Sequence, residues 1–247
     1  MVDDYSTYHF TLSEKTVYFL QGLMIATIVG ALFYQSMIAV VFFSPFPFMF
    51  IRKKRKQHTK ERQWQLNLEF RDGITSLLAA LNAGYSIEHA FEEARKDLKL
   101  IYEDNSLIMR EFSYLVHQIN MNITVERALN DFGERTGVED IINFSEVFTT
   151  AKRTGGDIIK VIQTTCNTIG DKIEIKREIK TLITAKKFEA DIMKLIPFGI
   201  LLYLMLSSPG FLNPLYHNIL GVIIMTVLLG VYLGAYLLTE KIMAIEV

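Results

Sequence analysis

KRTGGDIIKVIQ, Lys152 to Gln163, places two adjacent glycines and an aspartate inside a chain that otherwise has helical spacing. The tetrad Thr154-Gly155-Gly156-Asp157 admits three readings: a phosphate-holding loop, the catalytic aspartate of a membrane protease, or a corner between two helices. A phosphate loop needs a preceding strand and a lysine behind its glycines, so that amide N–H groups and an ammonium meet the phosphates. No strand pattern precedes this stretch, and Asp157 would repel phosphate. Any ATP-driven work therefore comes from a partner. A membrane aspartyl protease would need two aspartates facing each other within the bilayer. Asp157 lies far from the nearest apolar run, which opens at Ala190, and neither C-terminal run carries a central aspartate. The corner reading remains.

The corner has relatives in the same chain. NAGYSIEHAFEEA (Asn82 to Ala94) aligns without a gap on NMNITVERALNDF (Asn120 to Phe132). Gly84 and Asn122 occupy the position where a left-handed residue ends a helix. Ser86 and Thr124 follow as caps for the next helix, accepting from its free N–H groups. Glu88 and Glu126 then sit at the positive end of the helix dipole. In the opening stretch Gly155 takes the stop position, followed by Gly156, and Asp157 takes the cap. Between the corners run apolar stripes at three-four spacing: Trp64, Leu68, Ile74, Leu77, Leu78 and Leu81 first, then Leu107, Ile108, Phe112, Leu115, Val116 and Ile119. A third stripe comprises Ile141, Ile142, Phe144, Val147, Phe148 and Ala151, and a fourth Ile159, Ile162, Cys166, Ile169 and Ile173. Three corners joining incoming to outgoing helices predict three helical hairpins and an antiparallel six-helix bundle.

Of the 247 residues half are hydrophobic, and a net charge of only −1 conceals a segregation, since the charges crowd between Arg52 and Lys194. The flanks are apolar on the scale of a bilayer, which takes about 20 residues of helix to cross. A transmembrane hairpin is expected from 190–208 and 218–239, joined by a Pro/Gly/Asn-rich loop at 209–217 on the far side. The N-terminal region, 17–51, is too long for one straight span and short for two. Two tight segments, 17–34 and 36–51, form one reading, and a single span with a kinked interfacial tail the other. A polar segment, 1–16, precedes it, and no small-residue cleavage site follows, so it does not read as a signal peptide. RKKRK (Arg52 to Lys56) places the central segment, 52–189, in the cytoplasm by the positive-inside rule, with a tail at 240–247. The same run reads as a topogenic anchor rather than a nucleic-acid site. Gly221, Gly230 and Gly234 are expected to allow close helix packing. The fold class is thus all-α: an integral membrane protein with a cytoplasmic helical bundle and a C-terminal membrane hairpin.

No catalytic constellation survives inspection. HAFEE (His89 to Glu93) lacks the second histidine of a zinc-protease helix, and His9, His58, His117 and His217 have no ligand spacing. GYSIE lacks the second glycine of a nucleophile elbow. The single cysteine, Cys166, excludes an intramolecular disulfide framework and reads as a small core residue. Neither a cofactor nor a metal is expected. A small transporter or channel is the alternative, but such a protein needs polar residues lining a path through its spans.

Taken in order, LLAALNAGYSIEHAF (Leu77 to Phe91), VERAL (Val125 to Leu129), AKRTGGDIIKVI (Ala151 to Ile162), IPFGILLYL (Ile196 to Leu204), GFLNPLY (Gly210 to Tyr216) and the terminal KIMAIEV resemble the type II secretion system F-domain family. The likeness is closer to its TadB/TadC branch, which assembles tight-adherence (Flp) pili, and it covers about residues 60 to 247. Asn122 departs from the glycine frequent there, although Asn tolerates the same turn. The resemblance implies a non-catalytic inner-membrane platform that couples a cytoplasmic hexameric secretion ATPase to pilin or pseudopilin subunits. It also implies a second F domain, from a sister protein or another copy of this chain, and favours two N-terminal spans. The corners are the candidate partner contacts. Lys176 and Arg177, on a last helix reaching toward the membrane with an expected kink at Pro197, are candidate docking charges. An equal reading of Lys172, Lys176, Arg177, Lys180, Lys186 and Lys187 is a solvated face or one that meets anionic lipid headgroups.

Overall fold

The computed structural model describes residues 12–34, 46–208, 210–216 and 218–243. Every element among them is an α-helix: α1 (Leu12–Tyr34), α2 (Phe46–Asn82), α3 (Ile87–Ile101), α4 (Leu107–Asn120), α5 (Val125–Thr136), α6 (Glu139–Thr154), α7 (Ile158–Ser207), α8 (Asn213–Tyr216) and α9 (Ile219–Met243). Two compact units result, one built on Lys54–Ile175 and the other on Phe10–Lys53 and Lys176–Val247.

The first unit contains most of α2, all of α3 to α6, and the start of α7. Its core is aromatic at the centre. Phe70 meets Phe132 and Phe144 edge-on at 5.8 and 5.5 Å, an arrangement the ring quadrupole favours. Phe91 and Phe112 make a second pair at 6.1 Å. Leu66, Ile74, Leu77, Leu98, Ile108 and Leu129 fill the space around them. The apolar stripes supply much of this core, with departures: Val147 and Ile159 lie at the surface, while Leu66 and Phe70 are fully enclosed. Gly73 has a packing reason. A methyl group there would stand 2.6 Å from Cζ of Phe112.

Polar side chains on α2 secure the connections. Gln63 donates to the Thr136 carbonyl at 3.0 Å, at the end of α5. Asn67 donates to Asp140 at 2.7 Å, at the start of α6, and the other Asp140 oxygen accepts from Lys172 of α7 at 2.9 Å. Glu69 accepts the Ile108 amide at 2.9 Å, satisfying one of the free donors that open α4. Asp72 accepts from the Tyr102 hydroxyl at 2.7 Å, just past α3. A further pair locks α4 to α5. Arg135 grips the fully buried Glu111 with two bonds, 2.8 and 3.2 Å, and holds Asp131 at 2.8 Å. Burial works against the Arg135 charge, but these two carboxylates outweigh it and raise its pKa.

In the second unit α1, the later part of α7, α8 and α9 share an apolar cluster of Phe33, Leu212, Tyr216, Met225 and Leu229. Among the described residues three stretches are long and apolar enough to cross a bilayer: Ser13–Tyr34, a window within Ile158–Ser207, and Ile219–Ile242. The proposed N-terminal segment at 36–51 lies largely outside the described residues. From Phe46 the chain is helical without a break to Asn82. Within the 209–217 connection, residues 210–216 carry structure of their own. Leu212 and Tyr216 are buried, and the Tyr216 hydroxyl donates to the Leu32 carbonyl at 2.7 Å. Gly221 meets this short helix, since a Cβ there would lie 2.5 Å from Cα of Leu215. The expectation of close packing at Gly230 and Gly234 is corrected, because nothing lies within 4 Å of a Cβ at either.

Pro197 stays inside α7, which continues unbroken through it. A proline removes one amide donor and pushes against the preceding turn. In that turn the Lys194 carbonyl accepts from the Tyr232 hydroxyl of α9 at 3.0 Å. Phe198 packs edge-on against Tyr232 at 5.3 Å. The carbonyl that the proline deprives of its ladder donor is that of Met193, and the Tyr232 bond ties α9 to α7 one residue further on.

Three outcomes follow for stability, each read by urea unfolding of the whole chain in detergent at Trp64, its one tryptophan. Gly73→Ala is expected to destabilise: overpacking costs about 1–3 kcal/mol, which exceeds the ~0.5–1 kcal/mol of helix propensity gained. Equal or greater stability would refute the close approach to Phe112. Arg135→Met is expected to cost about 3 kcal/mol by stranding Glu111, and Glu111→Leu added to it should recover most of the loss. Gly155→Val should cost about 1–2 kcal/mol because its φ of +68° disfavours a β-branched residue, whereas Gly155→Asn should cost less.

Candidate functional site

The three corners share one backbone path. Gly84, Asn122 and Gly155 adopt φ of +89°, +62° and +68°. In each corner the next amide turns back to the carbonyl five residues earlier: Tyr85 to Ala80 at 3.3 Å, Ile123 to Gln118 at 3.0 Å, Gly156 to Ala151 at 2.8 Å. This is the wrapped helix end that only a left-handed residue permits, and it satisfies carbonyls left over by the helix. Asn122 achieves it without glycine, because its short polar side chain tolerates the left-handed region.

Capping differs among the three. Ser86 Oγ accepts from the His89 amide at 3.4 Å and lies 3.0 Å from Nδ1 of the same histidine. Asp157 Oδ1 accepts from the Lys160 amide at 3.0 Å. Thr124 stands in the cap position with an extended backbone, but its hydroxyl makes no cap bond. The helix behind it gains instead from Glu126, which accepts from Lys152 of α6 at 3.0 Å. Burial opposes the Glu126 charge, yet its backbone and Lys152 bonds together lower its pKa. This ion pair brings the second corner to the end of the helix that enters the third. Glu88, in the first turn of α3, is exposed.

The candidate corners 84–88 and 122–126 include Tyr85 and Ile123 without distinguishing them as exposed apolar residues, and they leave out Met121. Tyr85, Met121 and Ile123 are 48%, 64% and 37% exposed. Tyr85 and Ile123 hold equivalent places in the internal repeat, directly after the left-handed residue. Their periodicity could have identified them, since both fall outside the apolar stripes that build the core. A left-handed fourth turn at Gly137, φ +60°, closes α5 ahead of α6. It too was not anticipated, because ERTGVED has no cap of the Ser/Thr/Asp type after its glycine.

Cys166 is half-buried beside Thr75, and burial pushes its thiol pKa up, away from the thiolate a nucleophile needs. An open cleft of about 680 Å³ lies between α2 and the α3–α4 connection. Its enclosed carboxylate, Glu69, already serves the Ile108 amide and Gln65. A second cleft of about 490 Å³ runs between α6 and α7, bordered by Asp157, Lys160, Val147, Thr164 and Thr168. Lys176 and Arg177 follow directly after the unit that bears the corners, on α7.

The family model described as type II secretion system (T2SS), protein F, matches residues 74–206, more than half of the chain. That span runs from the last turns of α2 through all three corners to the last turn of α7. No curated protein and no solved structure matches the chain significantly. With helical corners, an aromatic core and apolar helices in the arrangement just described, this chain belongs to the type II secretion system protein F family.

Proposed function

We propose that this protein is the non-catalytic membrane platform of a fibre-assembly machine of the tight-adherence (Flp) type, a TadB/TadC-like member of its family. The observation that carries the reading is the family match across 74–206 in a chain with three apolar, membrane-length helices among its described residues. In this reading the six helical stretches of the first unit form an antiparallel bundle in the cytoplasm. The inner membrane holds the apolar helices, with the last stretch of α7 and α9 as a hairpin. The bundle docks a cytoplasmic hexameric secretion ATPase. The membrane helices hold pilin or pseudopilin subunits, and a second F domain, from a sister protein or another copy, completes the platform.

Tyr85, Met121 and Ile123 support docking at the corners. Apolar side chains this exposed and without a part in the core, two of them at equivalent places in the repeat, suit the centre of an interface. Glu88, Glu126 and Asp157 give those corners a polar rim. Chemistry is left to the ATPase, since the polar groups at the corners are engaged in capping and ion pairs.

The test is a pull-down of the detergent-solubilised chain against the secretion-type ATPase encoded in the same genome. Binding at micromolar affinity or better is expected. Tyr85→Ala with Ile123→Ala should weaken it by about tenfold or more, the loss typical of truncating interface anchors. Absence of binding by the folded chain would overturn the ATPase-docking reading. Charge reversal at Lys176 and Arg177 that left both binding and fibre output intact would remove those two residues from the docking surface.

A further inference from the structure

Between Glu174 and Ala190 α7 has no buried residue, although it carries isoleucines and a leucine. Ile175, Ile179, Leu182 and Ile183 follow one another at i, i+4, i+7 and i+8, the spacing that lines up one face of a helix. Ile175 is 52% and Leu182 67% exposed. The charges beside this stripe are sorted by sign. Lys176, Lys180 and Lys187 run along one flank, and Glu174, Glu178 and Glu189 along the other. Lys186 continues the line of the stripe and pairs with Glu189 at 3.0 Å, ending the apolar run toward the span.

We propose that this stretch of α7 is a self-association seam, on which a second copy of the chain lies parallel to the first. The sorted flanks select both the partner and its direction. When two identical helices meet along such a stripe in parallel, the basic flank of each faces the acidic flank of the other. In an antiparallel pair each flank meets its own kind, which costs energy, and flanking charges set partner choice and orientation in this way in coiled coils. The membrane imposes the same direction. The helix runs on into an apolar window of bilayer length, so two copies inserted alike present these stretches in parallel. The apolar run is short, and the copies are held in one plane by their spans, which raises the effective concentration at which the seam closes. The inference adds to the platform reading a specific contact, and it does not depend on the identity of the ATPase or the fibre.

The experiment is oxidative crosslinking of the full-length chain in membranes, in a Cys166→Ala background with one cysteine introduced at a time. Ile179→Cys and Leu182→Cys are expected to give a disulfide-linked dimer at several times the yield of Thr181→Cys and Thr184→Cys, which lie on the opposite face. Equal yields on the two faces, or no dimer at Ile179→Cys and Leu182→Cys, would overturn the proposal. If those two cysteines instead carry labels quenched by lipid-borne quenchers, the bilayer covers the stripe and the proposal fails. Charge exchange tests direction. Lys176→Glu with Lys180→Glu should reduce the Leu182→Cys yield several-fold, and adding Glu174→Lys with Glu178→Lys to the same chain should restore it. Failure of the second exchange to restore the dimer would refute the parallel pairing. None of these readouts involves ATPase binding, so a failure here leaves the platform reading separately testable.

Discussion

The first unit depends on α2 as a polar anchor as much as on its hydrophobic core. Gln63, Asn67, Glu69 and Asp72 reach, in turn, the end of α5, the start of α6, the start of α4 and the residue after α3. A made hydrogen bond contributes only about 0.5–1.5 kcal/mol net, but a buried group left unmatched costs about 1–3 kcal/mol. Sliding any one helix by a turn would break its bond to α2 and strand the partner. Phenylalanine, leucine and isoleucine pack in many registers, and these directional contacts choose one of them. Glu111 with Arg135 does the same between α4 and α5, at a position where a buried carboxylate tolerates no other neighbour.

Two kinds of connection divide the labour. At 84, 122 and 155 the backbone closes on itself through a left-handed residue and a wrapped amide, so the turn needs little help from side chains. At 102–106 the chain is instead secured by side chains from α2, and at 136–140 such side chains add to the left-handed Gly137. A self-sufficient turn leaves its side chains available. That is why Tyr85, Met121 and Ile123 can stay exposed without loss of fold.

In the second unit, apolarity alone would leave the helices with no preferred packing, since lipid tails are as apolar as leucine. Geometry comes from a few aromatic and polar contacts. Phe198 lies between Phe33 and Tyr232, at 5.9 and 5.3 Å. The hydroxyls of Tyr216 and Tyr232 reach backbone carbonyls of α1 and α7. Tyr34 and Thr226 share a hydrogen bond at 3.0 Å between α1 and α9. The connection before α9 contributes to this packing through Leu212 and Tyr216, which a Pro/Gly-rich composition does not reveal.

By itself the sequence determined what is local: helices from the spacing of apolar residues, left-handed stops at Gly84, Asn122 and Gly155, membrane-length apolar runs, and the absence of a phosphate loop at Gly155-Gly156. Each of these depends on residues within a turn or two of one another, so periodicity and backbone preference suffice. Tertiary structure decided the rest. That Glu69 accepts from the Ile108 amide opening α4, that Gln63 holds the Thr136 carbonyl beside the left-handed Gly137, and that Glu126 pairs with Lys152 behind the uncapped Thr124 all depend on neighbours tens of residues away. Those neighbours enter through shape and hydrogen-bond direction, and neither quantity is carried by the spacing of residues along the chain.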